Sequence, residues 1–240
     1  APPFLDPFQL GRNMGLTDQY RSTGDLPGVI PVFPLAGAIL LPRGQLPLNI
    51  FEPRYLKMVD DAMRTDRIIG MVQPDGEAAI LASQMPDEKP PLCAVGCAGR
   101  ITSWAETGDG RLVITLTGIM RFRIESELSA LTPYRQVNAG WEEFAGDLTA
   151  GEGQDEVSRE RLLEILKEYL DTHGLQADWR AIRLSSNETL VNSLCTISPY
   201  GPREKQALLE ARTLEDRNQM LIALTEKALR EISPGDATVQ

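Results

Sequence analysis

The spacing of apolar residues changes along the chain from a period of two residues to one of about 3.6. Residues 111–117 alternate strictly between outward and inward positions, with Leu112 and Leu116 on one face, as in a half-buried strand. Residues 157–170 instead place Leu162 and Leu166 on one helical stripe. The pattern therefore predicts a β-rich first half and a helical second half.

The segment from residue 29 to residue 73 predicts three strands and one helix. The run that begins at Val29 favours a strand, and Pro31 places it at a sheet edge because proline cannot donate a ladder hydrogen bond. Residues 48–51 form a second short strand. Pro53 then opens an amphipathic helix, and residues 67–73 follow as a buried strand.

Residues 93–141 predict a series of short strands. The turn at residues 107–110, Thr-Gly-Asp-Gly, is typical of a hairpin. A new strand is expected after Gly118, over residues 120–125, and a last one over residues 134–141. Several short strands with closely spaced turns indicate a curled sheet or a small barrel.

The second half carries helix start and stop signals. Gly174 is placed to end the helix over residues 157–170. Ser185 with Glu188, and Thr213 with Asp216, resemble capping boxes at the starts of later helices.

We therefore expect the α+β class, with an N-terminal twisted β-sheet or pseudo-barrel subdomain followed by a C-terminal α-helical bundle. The predicted segments are an extended N-terminal arm (1–28), the β-rich subdomain (29–143), a linker (144–154), the helical bundle (155–232) and a tail (233–240).

Composition narrows the classes of partner. The 240 residues carry a formal net charge of −10, which argues against nucleic acid and anionic membranes because phosphate binding draws on a basic surface. No apolar run approaches the ~20 residues that span a bilayer, and residues 1–28 show no secretory-signal pattern. The three cysteines fit a reducing compartment, so we expect a cytoplasmic protein.

The sequence predicts no catalytic residue, metal site or cofactor. It contains no Gly-x-x-x-x-Gly-Lys-Ser/Thr loop, no Gly-x-Gly-x-x-Gly and no His-Glu-x-x-His. The single histidine, His173, falls at a predicted helix end, where its ring can hydrogen-bond to the terminal backbone carbonyls. Cys93 and Cys97 lack companion zinc ligands and are expected to be buried thiols.

A serine–lysine mechanism needs no histidine, so it depends on where the lysines lie. Four of them fall on apparent polar faces of helices, Lys205 among them, and Lys89 lies in a proline-flanked loop. A catalytic lysine must be desolvated to lower its pKa, and none is expected to be buried. The pattern therefore does not favour this mechanism.

The segment Phe-Glu-Pro-Arg-Tyr at residues 51–55 combines a carboxylate and a guanidinium at a strand-to-helix turn. Arg121 and Arg123, on one predicted strand, could pair with Glu52. This group either ties the loop to the barrel or contacts a ligand.

The aliphatic loop at residues 35–41 has two interpretations. If it is exposed, it is an apolar patch of the kind that marks a binding site. If it folds under the N-terminal arm, it belongs to the core.

Several short motifs, in one order along the chain, resemble the N-terminal domain of the Lon protease family. The resemblance covers residues 29–232, and its most specific block is Phe-Glu-Pro-Arg-Tyr at 51–55. The other blocks are Pro-Val-Phe-Pro-Leu at 31–35, Leu-Leu-Pro at 40–42, Leu-Pro-Leu-Asn-Ile at 46–50, Ile-Gly-Met-Val at 69–72, Val-Gly-Cys-Ala-Gly-Arg-Ile at 95–101, Gly-Ile-Met-Arg-Phe-Arg at 118–123, Pro-Tyr-Arg at 133–135 and Lys-Gln-Ala-Leu-Leu-Glu at 205–210.

The resemblance implies a barrel-like β subdomain joined to a helical bundle, and a role in recognising unfolded or tagged polypeptides. In Lon proteases the ATPase and the serine–lysine protease lie in later domains, so we expect this chain to be the recognition module without them. By the same resemblance a binding role is carried over to Phe33, Leu35, Leu40, Leu41, Phe51, Glu52, Arg54, Tyr55, Arg121 and Phe122.

The leading hypothesis is therefore a non-catalytic polypeptide-recognition module. It would act as an adaptor or holdase for unfolded or tagged polypeptides, with a separate protease or chaperone as a further partner. One alternative is a small-molecule hydrolase that uses carboxylates such as Glu52 or Asp60. The other is an RNA-binding protein with a local patch formed by Arg121, Arg123 and Arg135.

Overall fold

The computed structural model describes residues 17, 19–82 and 89–232. The strands of the described part are β1 (Val29–Pro34), β2 (Gln45–Ile50), β3 (Ile68–Val72), β4 (Val95–Glu106), β5 (Leu112–Glu127) and β6 (Arg135–Gly140). Its α-helices are α1 (Pro53–Arg64), α2 (Glu77–Ala82), α3 (Arg159–His173), α4 (Trp179–Leu184), α5 (Asn187–Ile197), α6 (Pro202–Glu210) and α7 (Leu214–Ile232). The predicted α+β class is confirmed. Most of the predicted N-terminal arm and the whole predicted tail lie outside the described residues.

The strands form one sheet in the order β2-β5-β4-β3-β1-β6, and β5 also pairs with β6. This second pairing closes β5, β4, β3, β1 and β6 into a barrel, because the last third of the long strand β5 reaches β6 while its first part pairs with β2. Strand β2 therefore extends the sheet beyond the barrel. Phe122, Ile30 and Met120 fill the barrel and are fully buried.

Pro31 predicted that β1 lies at a sheet edge. This prediction is wrong, because β1 lies between β3 and β6. Its parallel pairing with β3 begins only at Val32, one residue after the proline. On the other side, the bond from the Ala139 N–H to the Gly28 carbonyl (2.9 Å) sets an alternation in which Ile30, not Pro31, is hydrogen-bonded to β6. The missing N–H of Pro31 therefore removes no bond between β1 and β6.

Gly118 does not separate two strands, because β5 runs through it without a break. A Cβ at this position would overlap the carbonyl oxygen of Leu41. The glycine thus marks the place where the apolar loop crosses close over the sheet. The hairpin turn was predicted correctly, and Gly110 lies in the left-handed region with φ 78°.

The predicted linker is structured and forms part of the contact between the two halves. Residues Glu142–Leu148 form 3-10 structure with a kink at Phe144, and Gln154–Glu156 form a single 3-10 turn. The Phe144 side chain is buried. The later helices then pack around α7, which contacts α3, α5 and α6. None of the described helices combines the length and the apolarity needed to cross a membrane.

The helix boundaries follow the sequence signals closely. Thr213 and Asp216 form the predicted capping box, with reciprocal bonds of 3.0 and 3.2 Å. The cap of α5 is Ser186 rather than Ser185, and its hydroxyl accepts from the Thr189 N–H at 3.1 Å. Gly174 ends α3 with φ 63°.

Candidate functional site

The segment at residues 51–55 joins the outermost strand to α1. Pro53 occupies the start of the helix, where its missing N–H costs no bond. The Phe51 ring remains 60% exposed. The Tyr55 ring is buried, and its centroid lies 4.2 Å from that of Phe33. One end of the segment is therefore a surface feature and the other belongs to the core.

Glu52 pairs with Arg54, at 2.8 Å, and not with Arg121 or Arg123 as the sequence had indicated. The guanidinium of Arg54 also lies over the Tyr55 ring, 4.7 Å from its centroid. The start of α1 brings these groups together, because Glu52 is its N-terminal cap and Arg54 lies in its first turn. Because the pair is partly exposed, it contributes little to the free energy of unfolding, and its main effect is to orient the Glu52 and Arg54 side chains.

Arg121 is buried and holds the two halves of the molecule together. Its Nε and Nη2 atoms donate to the two carboxylate oxygens of Asp147, each at 2.8 Å. Its Nη1 atom donates to the carbonyls of Leu209 and Ala211, at 3.1 and 2.6 Å. The guanidinium also lies 4.6 Å from the ring centroid of Phe144. All of these partners come from the linker or from the α6–α7 junction, which the β-strand pattern could not indicate.

The arginine patch considered for RNA is not formed by free cations. Arg121 is paired in the core. Arg123 pairs with Glu143 at 2.6 Å, and Arg135 pairs with Glu127 at 2.5 Å. Since each guanidinium already faces a carboxylate, the arrangement offers little to a phosphate backbone.

The apolar loop is core in this structure. Leu40 is 1% exposed and Leu41 is fully buried, because the loop lies against the glycine positions Gly99 and Gly118 of the sheet. Phe33 and Phe122 are also buried, and Leu35 is partly buried against the same core. An aspartate at Leu40 or Leu41 would therefore test folding rather than binding, and the binding role carried over to these residues stays a prediction.

Three of the six large exposed hydrophobic residues that the structure describes between residues 29 and 143 lie where β2 leaves the barrel. We call this region the outer sheet: β2 with Phe51, the residue that follows it, residues 101–106 of β4 and residues 112–117 of β5. Phe51, Trp104 and Val113 are 60%, 57% and 41% exposed there. Val113 lies opposite Asn49, so it shares a face with Phe51, two residues further along. Trp104 lies opposite Ile114, on the other face.

Sequence reasoning singled out Phe51 but missed Trp104 and Val113. The signal for Val113 was present, because it occupies an outward position of a strictly alternating strand. Trp104 carried no such signal. Its exposure follows from the end of the β3 pairing near Ile101, which is a tertiary feature.

The histidine and the cysteines are hydrogen-bonded or at least partly buried. His173 Nδ1 lies 2.8 Å from the Tyr169 carbonyl, as predicted. Cys97 and Cys195 are buried and Cys93 partly so, and burial raises the pKa of Cys195 to about 12. Within the described ranges, no cluster of His, Cys, Asp and Glu could hold a metal ion.

Lys205 is buried, contrary to the prediction for the lysines, because its side of α6 faces α5 rather than solvent. Desolvation lowers the pKa of its ammonium group. Its Nζ atom donates to the backbone carbonyl of Thr196 at 2.9 Å. Since that partner is a carbonyl and not a hydroxyl, the contact closes the end of α5 and activates no nucleophile.

Known proteins match this chain over most of its length. Residues 29–227 match the ATP-dependent protease La (LON) substrate-binding domain. Lon protease 2 of Sorangium cellulosum is 25% identical over 209 residues, which are 83% of this chain and 25% of that protein. Lon protease 2 of Myxococcus xanthus is 26% identical over 216 residues, 87% of this chain and 24% of that protein. The chain thus spans about a quarter of the length of these curated relatives.

Two solved structures share the fold. One is a Lon N-terminal domain protein from Xanthomonas campestris, with a TM-score of 0.57 and 24% identity over 81% of this chain and 97% of that one. The other is the N-terminal domain of the Mycobacterium avium complex Lon protease, with a TM-score of 0.59 and 17% identity over 82% of this chain and 98% of that one. By its sequence match and its architecture, the chain belongs to the family of LON substrate-binding domains.

Proposed function

We propose that this chain recognises unfolded or tagged polypeptides and performs no chemistry on them. Membership of a substrate-binding domain family supports the proposal. The observation that carries it in this chain is the outer sheet, where Phe51 and Val113 lie exposed on one face and Trp104 lies exposed on the other. Each such side chain gains about 1.5–3 kcal/mol when it is fully buried against apolar surface.

Sequence-tolerant recognition fits this surface. Aromatic and branched side chains on a strand offer contact area without demanding a particular partner residue. Phe51 also has the Arg111 guanidinium 5.9 Å from its ring centroid, so the patch joins an apolar centre to a polar rim. An adaptor or holdase role, with a separate protease or chaperone receiving the polypeptide, is the finer form of the same proposal.

The first test measures binding of reduced, carboxymethylated α-lactalbumin by fluorescence anisotropy. We expect Phe51→Ser combined with Val113→Ser to weaken binding by about tenfold or more, which corresponds to about 1.4 kcal/mol. The matched control is Leu131→Ser, since Leu131 is fully exposed on a loop outside the outer sheet. Equal affinity of the double variant and the control, or no binding by the native chain, would contradict the proposal.

The two alternative functions find less support. Glu52 lies at the surface in an ion pair with Arg54. Two surface cavities of about 300 Å³ and 310 Å³ are lined by other residues. Among the described residues, neither cavity supplies the closed carboxylate site near Glu52 that the hydrolase hypothesis requires. The three guanidinium groups of the RNA hypothesis, those of Arg121, Arg123 and Arg135, are each paired with a carboxylate.

A further inference from the structure

We propose that a bound polypeptide adopts an extended conformation and pairs with the free edge of β4 at residues 102–106, adding a strand to the outer sheet. This inference rests on the proposed function and specifies its binding mode. It differs from simple apolar contact because the main chain of the partner, not only its side chains, would supply the recognition.

Among the described residues no strand covers this edge, because β3 begins too late to reach it. Strand β3 pairs with β4 only over residues 97–100, and one further bond runs from the Ile101 N–H to the Arg67 carbonyl at 2.8 Å. Arg67 has φ 60°, so the chain turns away there. A bulge between Ile101 and Ser103 then bends β4. In the part of the chain that the structure describes, no strand pairs with residues 102–106 on the side away from β5.

The hydrogen-bonding groups at this edge can be assigned from the antiparallel alternation. The Thr107 N–H donates to the Arg111 carbonyl at 2.9 Å. Hydrogen-bonded pairs recur every second residue from there. The N–H and carbonyl groups of Ala105 and Ser103 therefore face β5, and those of Trp104 and Glu106 face the edge. Two N–H groups and two carbonyls thus face outward in the spacing of a ladder, which is the complement of an incoming strand.

The opposite edge of the outer sheet, on β2, carries a proline that hinders strand pairing. This difference favours the β4 edge as the place where a polypeptide strand would pair. On β2, the bond from the Gly118 N–H to the Gly44 carbonyl (2.8 Å) sets an alternation in which Gln45, Pro47 and Asn49 face outward. Pro47 has no N–H to offer, and proline at such a position is a common block to edge pairing. Among the described residues of the β4 edge, from Thr102 to Glu106, no proline is present.

The side chains at the β4 edge define the chemistry of the segment it would take. Trp104 is more than half exposed there, so an apolar or aromatic residue in the cross-strand position would pack against its ring. The carboxylate of Glu106 is exposed and forms no ion pair with any described residue. The preferred occupant is therefore an extended segment that alternates apolar and polar residues and carries a lysine or arginine facing Glu106.

The test follows amide hydrogen exchange of the full chain by NMR, with and without carboxymethylated α-lactalbumin. We expect slower exchange at Trp104 and Glu106 and no change at Gln45 and Asn49 on the β2 edge. A second probe is a short peptide of alternating valine and threonine with a lysine at each end. Methylation of its alternate backbone nitrogens should weaken binding by about tenfold or more, because the methylated amides cannot donate.

A variant pair isolates the backbone group. Glu106→Pro removes both the N–H and the carboxylate, whereas Glu106→Ala removes only the carboxylate, so a larger loss for the proline variant supports strand pairing. Binding of α-lactalbumin without protection at Trp104 and Glu106, or equal binding of the methylated and unmethylated peptides, overturns the edge inference and leaves the proposed function standing. If the native chain binds no α-lactalbumin at all, both fall.

Discussion

At the scale of single residues, the most consequential group is the buried guanidinium of Arg121. Its side chain and that of Asp147 are only 5% and 11% exposed. If one of the two charges is removed, the other therefore stays buried without a counter-charge and without hydration. Nearby, Arg217 is also buried and donates to the Leu208 carbonyl and to Asn192 Oδ1, at 2.9 and 3.0 Å. Desolvation lowers the pKa of Arg217, and its Nη2 atom has no hydrogen-bond partner among the described residues. The junction therefore depends on Asp147 for its negative charge.

Replacing Asp147 by asparagine should lower the free energy of unfolding by about 3–5 kcal/mol, because it leaves a buried cation without its counter-charge. Urea denaturation measures this value. The matched control is Glu143→Gln, which breaks the Arg123 pair. Both partners of that pair are about half exposed, so solvent screening limits the loss to less than about 1 kcal/mol.

The combination Arg121→Met with Asp147→Leu removes both charges at once. Its stability should recover a large part of the loss seen for Asp147→Asn, since no uncompensated charge remains. A double variant as unstable as the single one would show that the hydrogen bonds to Leu209 and Ala211 matter more than the ion pair.

At the scale of elements, the glycines of the long hairpin decide how closely the apolar loop can approach. Gly118 lies under the Leu41 carbonyl, and this contact lets Leu40 and Leu41 seal one side of the sheet. The Arg43 N–H then donates to the Gly118 carbonyl at 2.8 Å. The loop and the strand thus form one unit, although 77 positions separate Leu41 from Gly118 in the numbering.

We predict that Gly118→Ala lowers the free energy of unfolding by about 1–3 kcal/mol or more, because a methyl group there must displace the loop. Thermal unfolding followed by circular dichroism measures the change. Gly108→Ala is the control, since no atom lies within 4 Å of the added Cβ at Gly108. Equal effects of the two substitutions would mean that the loop moves aside freely.

At the scale of the whole molecule, carboxylates that are paired or hydrogen-bonded in the fold make its stability depend on pH. The Lys57 ammonium and the Tyr134 hydroxyl hold the pKa of Asp61 below its ordinary value. Arg135 lowers the pKa of Glu127, and Arg123 lowers that of Glu143. A carboxylate whose folded pKa is lowered stabilises the fold above its unfolded pKa, and this contribution is lost as pH falls through the folded pKa.

The thiols act in the opposite direction. Burial raises the pKa of Cys93 to about 11 and that of Cys195 to about 12. A group whose folded pKa is raised stabilises the fold below its unfolded pKa, which is about 8.5 for a thiol, and this contribution is lost as pH rises toward the folded pKa.

The free energy of unfolding should therefore be highest between about pH 5 and pH 8 and fall on both sides. Urea denaturation at acidic, neutral and alkaline pH measures the profile. Cys195→Ala should flatten the alkaline decline and leave the acid side unchanged, whereas Asp61→Asn should reduce the acid decline only slightly, because that carboxylate is near the surface. An alkaline decline that persists unchanged in Cys195→Ala would show that this thiol does not contribute to it.

The sequence by itself determined the elements whose signals lie within a few residues of one another. Alternation over residues 111–117 gave a strand, Pro53 a helix start, Gly174 a helix end, and Thr213 with Asp216 a cap, since each depends on local backbone geometry. The short motifs also indicated the family, which the match over residues 29–227 confirms. Ten residues were given a binding role from the sequence. Of these, Phe51 is the one that the structure leaves mainly exposed.

Only the tertiary structure decided which of these elements meet. The closure of β5 onto β6, the central place of β1, the pairing of Arg121 with Asp147 and the burial of Lys205 all join residues far apart in the chain. The spacing of apolar residues predicts which face of an element is buried, but not which other element covers that face. The free edge of β4 is of the same kind, because it exists where a neighbouring strand turns away.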